Sequence, residues 1–351
     1  MAKNKAKAAR RQETIGCDVG DRKSEIYILL SKGKSERSVV STRRVAWEAF
    51  LKRPAAHVVL EAGTHSGWIS RLAQEAGHRV TVANPRRLKL ISQSDSKRDR
   101  SDAELLARLG SADPKLLAPI EHRGPKEHAD LAVPRARDLL VTVRTRLVNH
   151  VRGAVKSAGE RLPKCSARSF DRRAATGIPT ELRPALDPML KLLTAVDLQI
   201  RALDREIALV AKRYPDVEVI RQIGGVGPIT ALVFVLTLAK KERFRKSRTV
   251  GAYLGMRPKQ DQSGDIDKQL GITKAGNVLL RRLLVNCANY ILGPFGPDSD
   301  LKTWGLKLSA RGGKNARRRA KVAVARKLAV LMHRLWVTGE VYQPIGYRPA
   351  A

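Results

Sequence analysis

The residue pattern changes character once, near Pro114, and that change limits the available folds more than any other feature of the chain. Before it, short β-like runs occur at Thr14 to Val19, Glu25 to Leu30, Val39 to Thr42, His57 to Leu60 and Arg79 to Ala83. Helical stretches around Trp47 to Leu51, Trp68 to Glu75 and Ser101 to Leu109 lie among them. Three strands followed by alternating helix and strand predict an α/β, ribonuclease-H-like layer. After Pro114 the strand signal vanishes and two long helical segments follow, about Arg135 to Ala158 and Pro188 to Lys212.

In the second segment, Met189, Leu193, Val196, Ile200, Leu203, Ile207 and Val210 are spaced alternately by four and three, the seam of a supercoiling helix. Asp187 ahead of Pro188 fits an N-cap followed by proline at the first helical position. Leu140, Val143 and Leu147 give the first helix a matching seam, so an antiparallel coiled-coil hairpin is expected, closed within one chain or across a dimer. Plain core packing accounts for the seam equally well. The expected organisation is a basic disordered arm over residues 1–13, an α/β domain over 14–115, the helical hairpin over 127–214 and a mainly α domain over 215–351.

Charge narrows the partner. Against 33 acidic residues stand 68 Lys and Arg, a formal net charge of +35, and each phosphate that a cation neutralises releases condensed counterions. Nucleic acid is therefore the favoured partner over an anionic membrane. No apolar run reaches the roughly 18 to 20 residues that span a bilayer, and no signal peptide opens the chain. Three scattered cysteines, Cys17, Cys165 and Cys287, fit neither a disulfide framework nor a zinc site and point to a reducing cytoplasm. Aromatic residues make up 4%, too few for an evident base-stacking platform.

The last domain opens with Ile223-Gly224-Gly225-Val226-Gly227-Pro228 before the apolar helix Ile229 to Leu238. This turn resembles that of a helix-hairpin-helix, whose glycines admit a phosphate, but a packing role serves as well. Gln262-Ser263-Gly264-Asp265 marks a loop before the helix Gly276 to Leu292. Arg311, Lys314, Arg317, Arg318, Arg319, Lys321, Arg326 and Lys327 crowd a stretch whose apolar side holds Val322, Val324, Leu328 and Leu331, an amphipathic basic helix suited to a nucleic-acid backbone.

Four carboxylates are candidate ligands of a metal that assists phosphoryl transfer: Asp18 on the first strand, Glu61 at the end of the fourth, and Asp99 and Asp102 on one helix. Residues three apart share a helix face, so the last two can point together at a strand edge. Hard oxygen ligands select Mg²⁺ or Mn²⁺, and two such ions stabilise the attacking and leaving oxygens of an in-line displacement. Each acid alone reads as readily as a capping or solvated residue.

Taken in order, Cys17-Asp18-Val19-Gly20, Val59-Leu60-Glu61-Ala62-Gly63 and Lys97-Arg98-Asp99-Arg100-Ser101-Asp102-Ala103 resemble the acidic motifs of the insertion-sequence transposases of family one-hundred-and-ten. Phe244, Tyr253-Leu254-Gly255-Met256, Gln262-Ser263-Gly264, Ile272-Thr273-Lys274-Ala275-Gly276-Asn277 and Leu280-Arg281 resemble that family's C-terminal signature, so the likeness runs from Thr14 to about Trp336. The resemblance implies a RuvC-like DEDD domain, a coiled coil and a C-terminal transposase domain whose nucleophile is Ser263. It implies a homodimer or homotetramer, with metal site and serine from different subunits. It also implies a structured noncoding bridge RNA that pairs with target and donor DNA, in a prokaryotic cytoplasm at the nucleoid.

By its bare sequence Ser263-Gly264 is simply a turn, and a serine hydroxyl needs a base or metal and nearby cations to attack phosphate. Lys259, Lys268, Lys274, Arg281 and Arg282 are candidate cations there, and Arg317, Arg318, Arg319 and Lys321 candidate nucleic-acid contacts in the basic helix. A covalent ester would conserve the phosphodiester energy for resealing, and no Walker motif is present for ATP. Two rival readings remain: a Holliday-junction endonuclease with a structural serine, and a non-catalytic nucleic-acid-binding protein.

Overall fold

The computed structural model describes residues 13–30, 33–86, 99–263, 266–313 and 315–346, with the side chains of 99–101 and 260–269 outside that description. Most of the expected basic arm therefore lies outside the described residues. The chain divides into two compact units, residues 1–123 and 124–351.

In the first unit, β1 (Thr14–Val19), β2 (Lys23–Leu29) and β3 (Ser35–Ser41) form an antiparallel meander. On the other side of β1, β4 (His57–Glu61) and β5 (Arg79–Ala83) pair in parallel, giving the order β3-β2-β1-β4-β5. One face carries Ile15, Cys17, Val58, Leu60 and Val82 beneath Trp47 of α1 (Arg44–Phe50) and Ile69, Leu72 and Ala73 of α2 (Ser66–Glu75). The opposite face carries Gly16, Val59 and Ala83 beneath α3 (Asp99–Ala112). Helices on both faces explain why β1 and β4 are apolar without alternation. A Cβ at Gly16 would strike the carbonyl of Ala103 and the amide of Ala107, so only glycine lets α3 lie this close to β1.

The second unit starts with α4 (Pro125–Ser157), which folds back through the short α5 (Phe170–Ala175) onto α6 (Arg183–Lys212). Both long helices begin earlier than their sequence pattern indicated. Pro125 and Pro184 occupy the first turns, and Pro134 and Pro188 sit inside. Asp187 is consequently no N-cap; it lies within α6, in an i, i+4 pair with Arg183. Proline is costly in a helix interior, yet burial of Pro134 and packing along both helices hold them continuous.

The two helices run antiparallel, and ion pairs bind them across the seam. Arg137 pairs with Asp204, and Arg144 with Asp197 at 2.7 Å. Nearer the open end, Arg213 pairs with Asp130, which also accepts a 2.6 Å hydrogen bond from the Tyr214 hydroxyl. The first two rungs are seven residues apart on each helix, so charge and apolar seam share one period.

The hairpin joins a helical core around α8 (Pro228–Leu238), where every residue from Thr230 to Leu238 is buried. Helices α7 (Asp216–Arg221), α9 (Arg248–Tyr253), α10 (Val278–Ile291), α11 (Asp300–Ser309) and α12 (Ala316–Thr338) surround it. One hairpin interrupts them, β6 (Pro258–Ser263) with β7 (Ile266–Ile272), so strands do recur after Pro114. Of the loop expected at Gln262–Asp265, Gln262 and Ser263 belong to β6, and residues 264–265 lie outside the described residues. The polar composition of β6 hid this hairpin from the sequence pattern.

Two stability effects follow. Asp197 is nearly sealed from solvent, so Asp197→Ala strands the Arg144 charge and is expected to cost about 3–5 kcal/mol, whereas Arg144→Met with Asp197→Leu should restore most of it. Urea unfolding of the three proteins measures this. His57 is buried on β4 with its Nε2 2.8 Å from Thr81 Oγ1, and burial, aided by Arg79, lowers its pKa from 6.5 to about 4. Between those values the unfolded chain binds more protons than the folded one. Stability is therefore complete above the unfolded value and declines as pH falls, by about 3 kcal/mol in all. The urea midpoint of the first unit should drop between pH 7 and pH 5, and less so in His57→Gln.

Candidate active site and basic surface

Parallel register decides where two of the four acids go. Cys17 pairs with Leu60, so the next residues along, Asp18 and Glu61, are neighbours at the ends of adjacent strands. Neighbouring strands lie about 4.8 Å apart and side chains alternate between faces, so Asp18 follows Gly16 and Glu61 follows Val59 onto the face that α3 covers. Cys17 falls on the other face, where burial pushes its thiol pKa far up and removes it as a nucleophile.

Asp102 lies on α3 one turn before Leu106, which packs on this same face against Val59 and Ala83. Asp18, Glu61 and Asp102 are all partly exposed. Asp99 opens α3, and its side chain lies outside the described residues. Among the described residues no group of three or more His, Cys, Asp or Glu is drawn together tightly enough to hold a metal ion. The fold thus sets Asp18 beside Glu61 and hangs Asp102 above their face. Paired carboxylates are the donor set of a hard divalent cation.

Sequence reasoning missed the polar groups that fix the loop after Glu61. Ser66 Oγ lies 2.9 Å from the Gly63 amide, 2.7 Å from the Gly63 carbonyl and 2.9 Å from His122 Nε2. His65 accepts from Trp68 Nε1 at 3.2 Å and reaches Asp21 at 3.5 Å. The serine three residues after a glycine at a helix start was a legible turn signal; His122, 56 residues on, was not.

In the second unit Ser263 ends β6 at the tip of the hairpin, paired with Ile266; its side chain and that of Lys268 lie outside the described residues. The stem of this hairpin is locked. Thr273 N donates to Arg257 O and Lys274 N to Gly255 O, each at 2.9 Å, with Lys274 held at φ 54°. Arg281 Nη1 donates to Ala275 O at 2.7 Å and Leu254 O at 3.1 Å, tying together the two chain segments that flank the strands. Arg282 pairs with Asp138 of α4. These two arginines are therefore engaged in the fold, whereas Lys259 and Lys274 are exposed.

The Gly-rich turn is likewise a packing device. A Cβ at Gly224 would meet Pro297, and one at Gly225, where φ is +92°, would press on Ile291 and Tyr290. The basic helix is amphipathic as expected: from Ala320 to Trp336 its inner side, with Val324 and Leu328, enters the core, while Arg317, Arg318 and Arg319 remain exposed on its first turn and Lys321 partly so. Among the described residues no helix is long and apolar enough to cross a membrane.

Comparison with known proteins matches these two units to one family. The model described as Transposase IS116/IS110/IS902 family matches residues 217–299, and the IS110 DEDD transposase model matches residues 15–159. The transposase for insertion sequence element IS1111A of Coxiella burnetii is 30% identical over 317 residues, covering 87% of this chain and 85% of its own. The chain belongs to the IS110 family of transposases. The transposase for insertion sequence element IS1328 of Yersinia enterocolitica is 27% identical over 281 residues, 78% of this chain and 82% of that one.

For this IS110 transposase the DEDD match carries a ribonuclease-H-like fold for the mixed sheet, with a helix-rich remainder, and points to the use of a divalent metal. Its activity is transposition, the cutting and rejoining of DNA. The clamp at the hairpin stem yields a test. A hydrogen bond from a charged donor contributes about 1.5–3 kcal/mol, so Arg281→Ala should speed amide exchange across β6 and β7 by at least about tenfold. DNA affinity should stay near that of the parent. Unchanged exchange with weakened DNA binding would mark Arg281 as a phosphate ligand instead.

Proposed function

We propose that this transposase cuts and rejoins target and donor DNA through a phosphoserine ester at Ser263, with Asp18, Glu61, Asp99 and Asp102 holding Mg²⁺ or Mn²⁺. The observation that carries the reading is the β1–β4 register, which puts Asp18 beside Glu61 on the face beneath α3. The matching domain assignment is a RuvC-like DEDD domain over residues 14–115, a coiled-coil hairpin over 127–214 and a transposase domain over 215–351. A structured bridge RNA selects the DNA by base pairing, and a dimer or tetramer contributes acids and serine from different subunits, at the nucleoid of a prokaryotic cell.

The chemistry balances without ATP. The Ser263 hydroxyl attacks phosphorus as the bond to one sugar oxygen breaks, and the serine proton ends, net, on that leaving oxygen. A sugar hydroxyl of the partner strand then attacks the ester, reforming a phosphodiester and returning the proton to Ser263. Bound to the carboxylates, the divalent ion supplies charge neutralisation at the phosphate. Lys259, Lys268 and Lys274 lie on or beside the hairpin and add positive potential there. The exposed Arg317, Arg318 and Arg319, with Lys321, hold nucleic-acid backbone.

Ser263→Ala is expected to bind DNA and RNA normally yet give no covalent adduct and no recombinant, read on a denaturing gel with labelled DNA. Asp18→Ala and Glu61→Ala should also abolish the adduct while leaving binding largely intact. Continued nicking by Ser263→Ala would identify a junction endonuclease that uses water, and an adduct mapping to another residue would move the nucleophile.

A further inference from the structure

The second unit contains a cleft of about 460 Å³ beside Arg317 and Lys321, which the proposed function gives to nucleic-acid backbone, and that reading leaves the cleft's apolar lining unused. It lies where the residue after α10, the end of α11 and the start of α12 meet, and its lining is Leu292, Leu306, Ser309, Ala310, Arg317 and Lys321. Its size is within the roughly 300–1,000 Å³ of small-molecule sites. The two sides differ in chemistry. Leu292, Leu306 and Ala310 make an apolar wall, and Leu306 keeps 46% of its surface exposed.

Facing them, Arg317 and Lys321 are one turn apart on α12 and so rise from one face of it. Among the described residues neither cation has an ion-pair partner, and neither do the neighbouring Lys307, Arg311, Arg318 and Arg319. A ligand complementary to this cleft has an apolar body and an anionic group.

We propose that the cleft seats one unpaired nucleotide of a single strand, its base against Leu306 and Leu292 and its phosphate between Arg317 and Lys321. A duplex cannot use the apolar wall, because its bases are covered by their stacked neighbours; it reaches only the cationic rim. An unpaired nucleotide offers both surfaces at once, and DNA cutting and rejoining exposes such nucleotides where strands part. Deoxyribose and ribose strands share this chemistry. The inference does not depend on Ser263 as nucleophile, and Ser263→Ala should bind single strands as the parent does.

The test uses the full chain and fluorescence anisotropy with three probes: a labelled deoxythymidine oligonucleotide, a labelled uridine oligonucleotide and a DNA duplex. Ala310→Trp fills the cleft from an exposed position without changing charge. It is expected to weaken single-strand binding by at least about fivefold, through lost burial of the apolar base surface, and to leave duplex affinity within about twofold. Leu306→Ser, which removes the wall without adding bulk, should act in the same direction. Arg317→Gln with Lys321→Gln should weaken binding of both single strand and duplex, and should shallow the single-strand salt slope by about 0.7 for each phosphate no longer neutralised.

Weakening on deoxythymidine, uridine or both identifies the strand that the cleft receives. A 2-aminopurine probe gives a second measurement, since a base drawn from its neighbours brightens with the parent and not with Ala310→Trp. The proposal is overturned if Ala310→Trp and Leu306→Ser bind single strands like the parent, or if every variant weakens duplex and single strand equally.

Discussion

A helix that is apolar on every side must be enclosed, and in the larger unit that requirement organises everything else. The nine residues from Thr230 to Leu238 are all buried, so α8 has no face to give to water and neighbouring helices close around it. The antiparallel pair α4 and α6 reaches it through Leu131, Ile207 and Val210, and α12 through Val324, Leu328 and Trp336. The cationic first turn of α12 is anchored because the rest of that helix is core, and the β6–β7 hairpin is anchored because Arg281 of α10 holds its stem. Packed helices thus anchor the two features of the second unit that the proposed function assigns to DNA.

The smaller unit obeys a different constraint, the close approach of α3 to β1 at Gly16. With strand register setting Asp18 beside Glu61, this approach brings the acidic start of α3 over the same face. A net charge of +35 favours the approach of polyanions to the chain.

Much of the first unit was legible because its signals are local. The apolar run His57 to Leu60 and the stop at Asn84-Pro85 place strands directly, and the motifs around Asp18, Glu61 and Asp102 lie on the expected elements. The long helices were also legible, but their starts were not: Pro188 reads as a first helical position, and only tertiary packing overrides that preference. The β6–β7 hairpin was hidden because Lys259, Gln260, Asp261 and Gln262 lack the apolar alternation of a half-buried strand. The structural use of Arg281 was hidden for another reason, since its two carbonyl partners belong to residues that the chain brings together only on folding.

The ion-pair rungs between α4 and α6 have a consequence beyond holding two helices together. Apolar seams with a seven-residue repeat tolerate sliding by a whole heptad, because one leucine replaces another. The charges tolerate it only in part: a slip in one direction would keep one rung, with Asp197 opposite Arg137, but would carry Asp204 to the level of Asp130, acid against acid, and leave Arg144 beside Leu190. A slip in the other direction would set Asp204 opposite Arg144 but lower Asp197 onto Val151, a buried apolar side chain, so only the native register keeps both rungs. The hairpin is in this sense a vernier with a single aligned mark, and the distance it sets between its loop end and the helical core is fixed to the residue.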